Sequence, residues 1–114
     1  MNAADGSAAD SADDPVALVV EFSAPLWRWE ARTDEWVFAR LPQDASDDVR
    51  ALPRPPSGFG SVRVRVTCGA STWTTSVFPE SADGAYVLPL KRSVRRAEGI
   101  GVGDTARLRV EVLR

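Results

Sequence analysis

The sequence contains no histidine and only one cysteine. Without histidine the chain lacks the commonest general base and the commonest metal ligand, and it can form neither a Ser-His-Asp nor a Cys-His arrangement. A single cysteine, Cys68, cannot form an internal disulfide, and a zinc site would have to rely on carboxylates. We therefore expect no catalytic residues, no metal site and no cofactor.

Long apolar segments are also missing. The longest uncharged apolar run, residues 16–20, is far too short to cross a bilayer. The N-terminus carries neither the basic region nor the apolar region of a secretory signal. We therefore expect a cytoplasmic protein with no membrane association.

Charge is distributed unevenly along the chain. The net charge is -2, but residues 1–14 contain four aspartates and no cation, so this segment carries -4 and residues 15–114 carry +2 (14 cations against 12 anions). Residues 1–14 consist mostly of Ala, Asp and Ser and cannot bury apolar surface. We predict a disordered acidic tail over residues 1–14 and a single β-barrel domain over residues 15–114.

Strand patterns dominate the predicted domain. From residue 61 to 67, Val62, Val64 and Val66 alternate with Arg63 and Arg65, which is typical of a strand with one buried face. Similar β-prone segments predict the other strands, at residues 16–22, 26–30, 36–41, 72–78, 86–88 and 106–112. Because the connections are short, we expect a mostly antiparallel sheet that is closed or nearly closed.

Two short helices are predicted between these strands. The first runs to about residue 50, with Asp44 and Ser46 as candidate N-caps. The second covers residues 91–98, where Pro89 presets φ for the helix start and Gly99 is a natural C-terminal stop.

A weak internal repeat relates the two halves of the domain. A strand, the dipeptide Leu-Pro, a polar or basic segment, a glycine-bearing loop and an alternating strand occur twice in this order, with Leu-Pro at Leu41-Pro42 and at Leu88-Pro89. One interpretation is a duplicated unit whose halves close on each other. The other is chance similarity between two short ββ units.

The arrangement of these residues resembles known families. Residues 86–112 resemble the swapped-hairpin pattern of small bacterial transition-state regulators and antitoxins. Residues 16–113 resemble the bacterial "domain of unknown function 1905" family. The residues that carry this second resemblance are Trp36-Val37-Phe38, Leu41-Pro42, Gly58-Phe59-Gly60-Ser61-Val62, Trp73, Thr75-Ser76-Val77-Phe78-Pro79, Tyr86-Val87-Leu88-Pro89, Lys91, Val94-Arg95, Ala97-Glu98-Gly99-Ile100 and Gly103-Asp104. The resemblance implies a bacterial protein that is mainly β: a small double-split β-barrel of about seven short strands with two short helices. It implies no function.

The basic second helix is the main candidate site. Lys91 and Arg95 are i, i+4 neighbours, as are Arg92 and Arg96, so positive charge is concentrated on this helix. One interpretation is a solvated helix face, with arginines near the C-terminus favoured by the helix dipole. The other is a docking surface for phosphate or carboxylate. The ligand-binding residues that we select are Lys91, Arg95, Ser76, Arg63 and Arg65.

Tryptophans are a second candidate feature. Trp27 and Trp29 lie two positions apart and share one face of an extended segment, while Trp73 lies among threonines on a predicted strand. Ordinary core packing is the simpler interpretation. Indole walls of a ligand cleft or of an interface are the alternative.

Three classes of function remain open. We favour a non-catalytic binding or interaction module for a small anionic ligand or a partner protein, acting as a monomer, because catalytic groups are absent while basic residues and tryptophans are present. A nucleic-acid-binding regulator of the swapped-hairpin barrel type is the alternative, but those proteins dimerise to pair their basic surfaces, whereas this chain supplies both halves. An enzyme of unknown reaction is the third class.

Overall fold

The computed structural model describes residues 15–28, 36–52, 60–80 and 84–113. In these residues the strands are β1 (Val16–Arg28), β2 (Val37–Arg40), β3 (Val62–Cys68), β4 (Ser71–Pro79), β5 (Tyr86–Pro89) and β6 (Thr105–Leu113). The helices are α1 (Gln43–Ala51) and α2 (Arg92–Glu98). The predicted acidic tail and Trp29 lie outside the described residues. No described helix is both long enough and apolar enough to cross a membrane.

The strands form a closed barrel in the order β1-β2-β5-β4-β3-β6, with β6 pairing back to β1. Every pair of neighbouring strands is antiparallel. This confirms the prediction of a mainly β barrel with two short helices.

The described barrel has one strand fewer than expected, because residues 16–28 form one continuous strand. The sequence predicts separate strands at residues 16–22 and 26–30, with Pro25, which lacks a backbone N–H, between them. Pro25 is instead an exposed residue of β1 opposite Thr105 on β6, and the next residue, Leu26, restores the hydrogen bonding by donating its N–H to the Asp104 carbonyl at 2.8 Å.

The core fills the barrel interior from all six strands. The predicted alternation holds on β3, where Val64 and Val66 are fully buried, and on β6, where Val110 and Val112 are buried against them. Val49 of α1 and Val94 of α2 add to the same cluster. Burying one such side chain contributes roughly 1.5–3 kcal/mol, so the interior is the main source of stability.

The two halves of the barrel have the same order of elements, as a pseudo-two-fold arrangement requires. The order β1-β2-α1-β3 is repeated as β4-β5-α2-β6, and the two helices begin 49 positions apart (92 − 43). Leu41 donates its N–H to the Tyr86 carbonyl and Leu90 donates to the Val37 carbonyl, both at 2.9 Å. The donors and the acceptors are each 49 positions apart (90 − 41 and 86 − 37). The geometry therefore favours the duplicated unit over chance similarity.

The predicted alignment of the two Leu-Pro dipeptides is wrong by two residues. The structure aligns Leu41 with Leu90 and Pro42 with Lys91, because Leu88 and Pro89 lie inside β5 whereas Leu41 and Pro42 follow the end of β2. Pro89 is accordingly the last residue of a strand and does not start α2.

The helix ends differ in part from the prediction. Pro42 is the N-cap of α1, which has no side-chain cap hydrogen bond. Ser46 is fully buried inside α1, and its Oγ accepts the Tyr86 N–H at 3.0 Å. The predicted end of α2 is confirmed, since Gly99 has the left-handed φ of 67°.

A hydrogen bond of Glu98 links the end of α2 to the start of β4, next to the turn between β3 and β4. Glu98 Oε2 accepts this bond from Ser71 Oγ at 2.6 Å. Gly69, in the same turn, has a φ of +59°, and a Cβ at this position would overlap Glu98 Oε1. Gly69 is therefore favoured by its backbone conformation, and a Cβ there would force the Glu98 carboxylate to move.

We expect Gly69→Ala to destabilise the domain more than Gly99→Ala. Both glycines have positive φ, which costs an L-residue about 1–2 kcal/mol, but nothing lies near a Cβ at Gly99. Gly69→Ala also displaces Glu98 from Ser71. Urea denaturation measures the difference, with Gly101→Ala as the control because that glycine has ordinary φ and open surroundings. Equal losses for Gly69→Ala and Gly99→Ala would contradict the proposed contact with Glu98.

Candidate functional site

A cleft of about 280 Å³ opens where the start of α2 meets β2, β4 and β5. Three cations, two indole rings and two threonine hydroxyls contribute to its lining. The lining residues are Trp36, Val37, Trp73, Thr74, Thr75, Pro89, Leu90, Lys91, Arg92 and Arg95. We refer to this site as the basic cleft.

The cations of the basic cleft are positioned by the segment that joins β5 to α2, which is held by a backbone hydrogen bond to β2. Leu90 is buried, and its N–H is bonded to the Val37 carbonyl. Lys91 and Arg92 follow it directly and are exposed. Arg95 lies one turn further along α2 and is buried, with Nε donating to the Leu90 carbonyl at 3.0 Å. The Arg95 guanidinium is therefore held in place by the end of β5.

The basic cleft has a charge of one sign. Lys91, Arg92 and Arg95 contribute three positive charges, and no carboxylate is present among the described lining residues. An anion in the cleft would accept hydrogen bonds from the two guanidinium groups.

A second cleft lies at the pseudo-equivalent position beside α1. It has a volume of about 520 Å³ and is lined by Ser23, Ala24, Pro25, Trp27, Arg40, Leu41, Pro42, Gln43, Glu80 and Ala85. Its only described cation is Arg40, which forms an ion pair with Glu80 at 2.6 Å. The described lining of this second cleft therefore has no net charge.

The 49-residue shift provides an internal comparison between the two clefts. It relates Lys91, Arg92 and Arg95 to Pro42, Gln43 and Ser46, respectively (for example 91 − 49 = 42). The equivalent start of α1 thus forms without a cation at any of these three positions. A helix start of this kind therefore forms without these three cations, although Arg95 of α2 is also bonded to the Leu90 carbonyl.

The structure brings together two of the five residues selected from the sequence. Lys91 and Arg95 both line the basic cleft, whereas Ser76 does not. Ser76 lies on β4 opposite Arg63 of β3, and the hydroxyls in the cleft belong to Thr74 and Thr75. Trp36 was missed as a site residue, because its closeness to α2 depends on the pairing of β2 with β5.

Arg65 has a structural role on the outer face of the barrel. Its side chain is only 8% exposed, and Nε contacts Glu111 Oε1 of β6 at 2.7 Å. Glu111 also lies 3.6 Å from Arg109, which pairs with Glu21 of β1 at 2.6 Å. Arg65 is therefore part of an ion-pair network that links β3, β6 and β1. It does not line the basic cleft, and neither does Arg63.

We expect Arg65→Ala to lower the stability of the domain strongly and Lys91→Ala to leave it almost unchanged. Arg65→Ala removes the most buried partner of Glu111, which still has Arg109 at 3.6 Å, and should lower the free energy of unfolding by roughly 1–3 kcal/mol. Lys91 is exposed, so Lys91→Ala should change it by less than about 0.5 kcal/mol. Urea denaturation of both variants measures this difference. A large loss of stability in Lys91→Ala would mean that the basic cleft is structural.

Cys68 has the properties of a buried structural residue. It ends β3 inside the core, and burial, together with the negative charge of Glu98, raises the pKa of its thiol above the ordinary value of 9.0. A raised pKa keeps the thiol protonated and unreactive at neutral pH.

We expect Cys68 to react slowly with iodoacetamide at pH 8 in the folded protein and rapidly in urea. Mass spectrometry of the alkylated protein follows the reaction. Equal labelling rates in folded and unfolded protein would show that the thiol is accessible.

The raised pKa of Cys68 also links stability to pH. Because the folded pKa lies above the unfolded one, the stability linked to the thiol is complete below pH 9 and declines as the pH rises through the folded pKa.

Comparison with known proteins places the chain in a family. No curated protein matches the sequence significantly. The family model described as "Domain of unknown function (DUF1905)" matches residues 22–110, which is 89 of 114 residues (110 − 22 + 1). The match includes both clefts and confirms the resemblance seen in the sequence. The chain therefore belongs to the DUF1905 family of domains of unknown function.

Proposed function

We propose that this protein is a non-catalytic module that binds a small anionic ligand in the basic cleft. The observation that carries the proposal is the contrast between the two pseudo-equivalent clefts. Lys91, Arg92 and Arg95 converge in one, while the described lining of the other has no net charge. Because the barrel forms a helix start beside both clefts, the three positive charges found in only one of them are explained better by a ligand than by the needs of folding.

The chemistry of the cleft suits a carboxylate or a phosphate. Guanidinium groups donate parallel hydrogen bonds to the oxygens of such anions, and Arg95 is already oriented by its bond to the Leu90 carbonyl. Lys91 adds a mobile point charge at the rim. A threonine hydroxyl of the lining can donate one further hydrogen bond.

Several observations support a role without catalysis. The side chains that line the basic cleft are Lys, Arg, Thr, Trp and apolar residues, so neither an imidazole nor a carboxylate is present in the described lining to act as a general base. Cys68 is in the core, with a raised pKa. Among the described residues, no group of three or more acidic or cysteine side chains could hold a metal ion.

Thermal unfolding with inorganic phosphate tests the proposal. A ligand at 100 times its dissociation constant stabilises a protein by about 2.7 kcal/mol, which should raise the midpoint by roughly 10 °C in a domain of this size. We expect Lys91→Gln and Arg92→Gln to weaken this shift. Arg96→Gln is the matched control, because Arg96 is an exposed cation of the same helix that does not line the basic cleft.

Two results would overturn the proposal. One is a phosphate-induced shift that is equal in Lys91→Gln and Arg96→Gln. The other is tighter binding of a short single-stranded DNA with a steep salt dependence. Three cations predict a slope of log K against log salt of only about -2, and a much steeper slope would indicate a nucleic-acid surface larger than the cleft.

A further inference from the structure

An aromatic groove adjoins the basic cleft on the outside of the barrel. Its volume is about 650 Å³, and its lining includes Trp27, Trp36, Phe38, Phe78 and Val87. Trp36 lines both the groove and the basic cleft. The two sites therefore adjoin at this residue.

The aromatic groove lies across the seam where β2 and β5 pair. Trp27 is opposite Phe38 and Phe78 is opposite Val87, and the partners Phe38 and Val87 are 49 positions apart (87 − 38). The pseudo-two-fold arrangement therefore relates Trp27 to Phe78, which places an aromatic ring on each side of the seam.

The rings in the groove pack around the buried Phe38, and two of them remain accessible. The centroid of Phe38 lies 5.3 Å from that of Trp27 and 5.9 Å from that of Trp36. Trp36 is 38% exposed and Phe78 is 37% exposed. Large apolar rings that stay this exposed beside a groove are typical of a binding surface.

Charge is concentrated at one end of the combined surface. The only charged residue in the described lining of the aromatic groove is Glu80, which is paired with Arg40. All three cations lie beyond Trp36 in the basic cleft. The surface as a whole thus matches a ligand with an anionic head and an apolar arm.

This distribution argues against two larger ligands. A single-stranded nucleic acid needs cations along the whole path of its backbone, and the described lining of the groove contains none. An extended peptide usually gains affinity by pairing with a free strand edge, but the described barrel is closed and offers none.

We propose that the ligand of the basic cleft is a small aromatic anion. Its carboxylate or phosphate head contacts Lys91, Arg92 and Arg95, and its ring lies in the aromatic groove beside Trp36. This inference depends on the proposed function and names the ligand class for the same site.

Matched pairs of probes test the inference by isothermal titration calorimetry. Acetate is compared with indole-3-acetate, and methyl phosphate with phenyl phosphate, so that each pair differs in the ring and the two pairs differ in the head. We expect the ring-bearing probe of at least one pair to bind about tenfold more tightly, because aromatic contacts add affinity beyond the burial of apolar area.

The variant Phe78→Ala identifies where the ring lies. We expect it to remove most of the gain from the ring while leaving acetate and methyl phosphate unaffected. Val102→Ala is the control, since Val102 is an exposed apolar residue that lines neither site. Lys91→Gln should weaken both members of each pair by a similar factor.

The outcomes separate the two proposals. If the head-only probes bind and the ring adds no affinity, this inference is wrong and the proposed function stands. If the ring adds affinity equally in Phe78→Ala and in the unmodified protein, the aromatic groove is not the site of the ring. If ring-bearing probes bind without any dependence on Lys91 and Arg92, the proposed function itself is wrong.

Discussion

The barrel closes where β2 and β5 lie side by side, and the rest of the structure depends on this short pair. Each strand has only four residues, and the pair is bracketed by two reciprocal hydrogen bonds, from Leu41 to Tyr86 and from Leu90 to Val37. Each half of the chain has an apolar face that it cannot cover alone. The reciprocal bonds set the register in which the halves cover each other, and each helix begins two residues after its leucine donor.

This arrangement separates the requirements of folding from those of the site. The inward residues of all six strands form the core, and the two helix starts occupy equivalent places at the two ends of the barrel. At one end the positions after the buried leucine carry proline and glutamine, and at the other they carry lysine and arginine. The two clefts have similar backbone surroundings, and the side chains at these positions make one cleft neutral and the other positively charged. The aromatic seam between the clefts is shared by both halves.

Much of the fold could be predicted from the sequence because its signals are local. Alternation identified β3 and β6, and Gly99 identified the end of α2. The errors arose where a local rule competes with tertiary pairing. Separate strands were expected at residues 16–22 and 26–30, on either side of Pro25, but the place of Pro25 opposite Thr105 lets β1 continue, with hydrogen bonding resuming at Leu26. Ser46 was expected to cap a helix, but its hydroxyl serves a backbone N–H of β5.

The site was less predictable, since it depends on contacts between distant segments. Alternation showed that Arg65 points outward, but it could not show that Glu111, 46 positions away, holds it. Lys91 and Arg95 were found because they lie on one helix. Trp36 joins them only through the β2–β5 pairing, which no local pattern in the sequence shows.

The most direct test of the central claim is an NMR titration of the protein with inorganic phosphate, following the backbone amides of both clefts. The account predicts that the amide signals of Thr74, Thr75, Lys91 and Arg92 shift with a common dissociation constant. The amides of Ser23, Ala24 and Gln43, at the pseudo-equivalent cleft, should stay unchanged. Equal shifts at both clefts, or shifts confined to Arg107 and Arg109 on the outer face of β6, would contradict it.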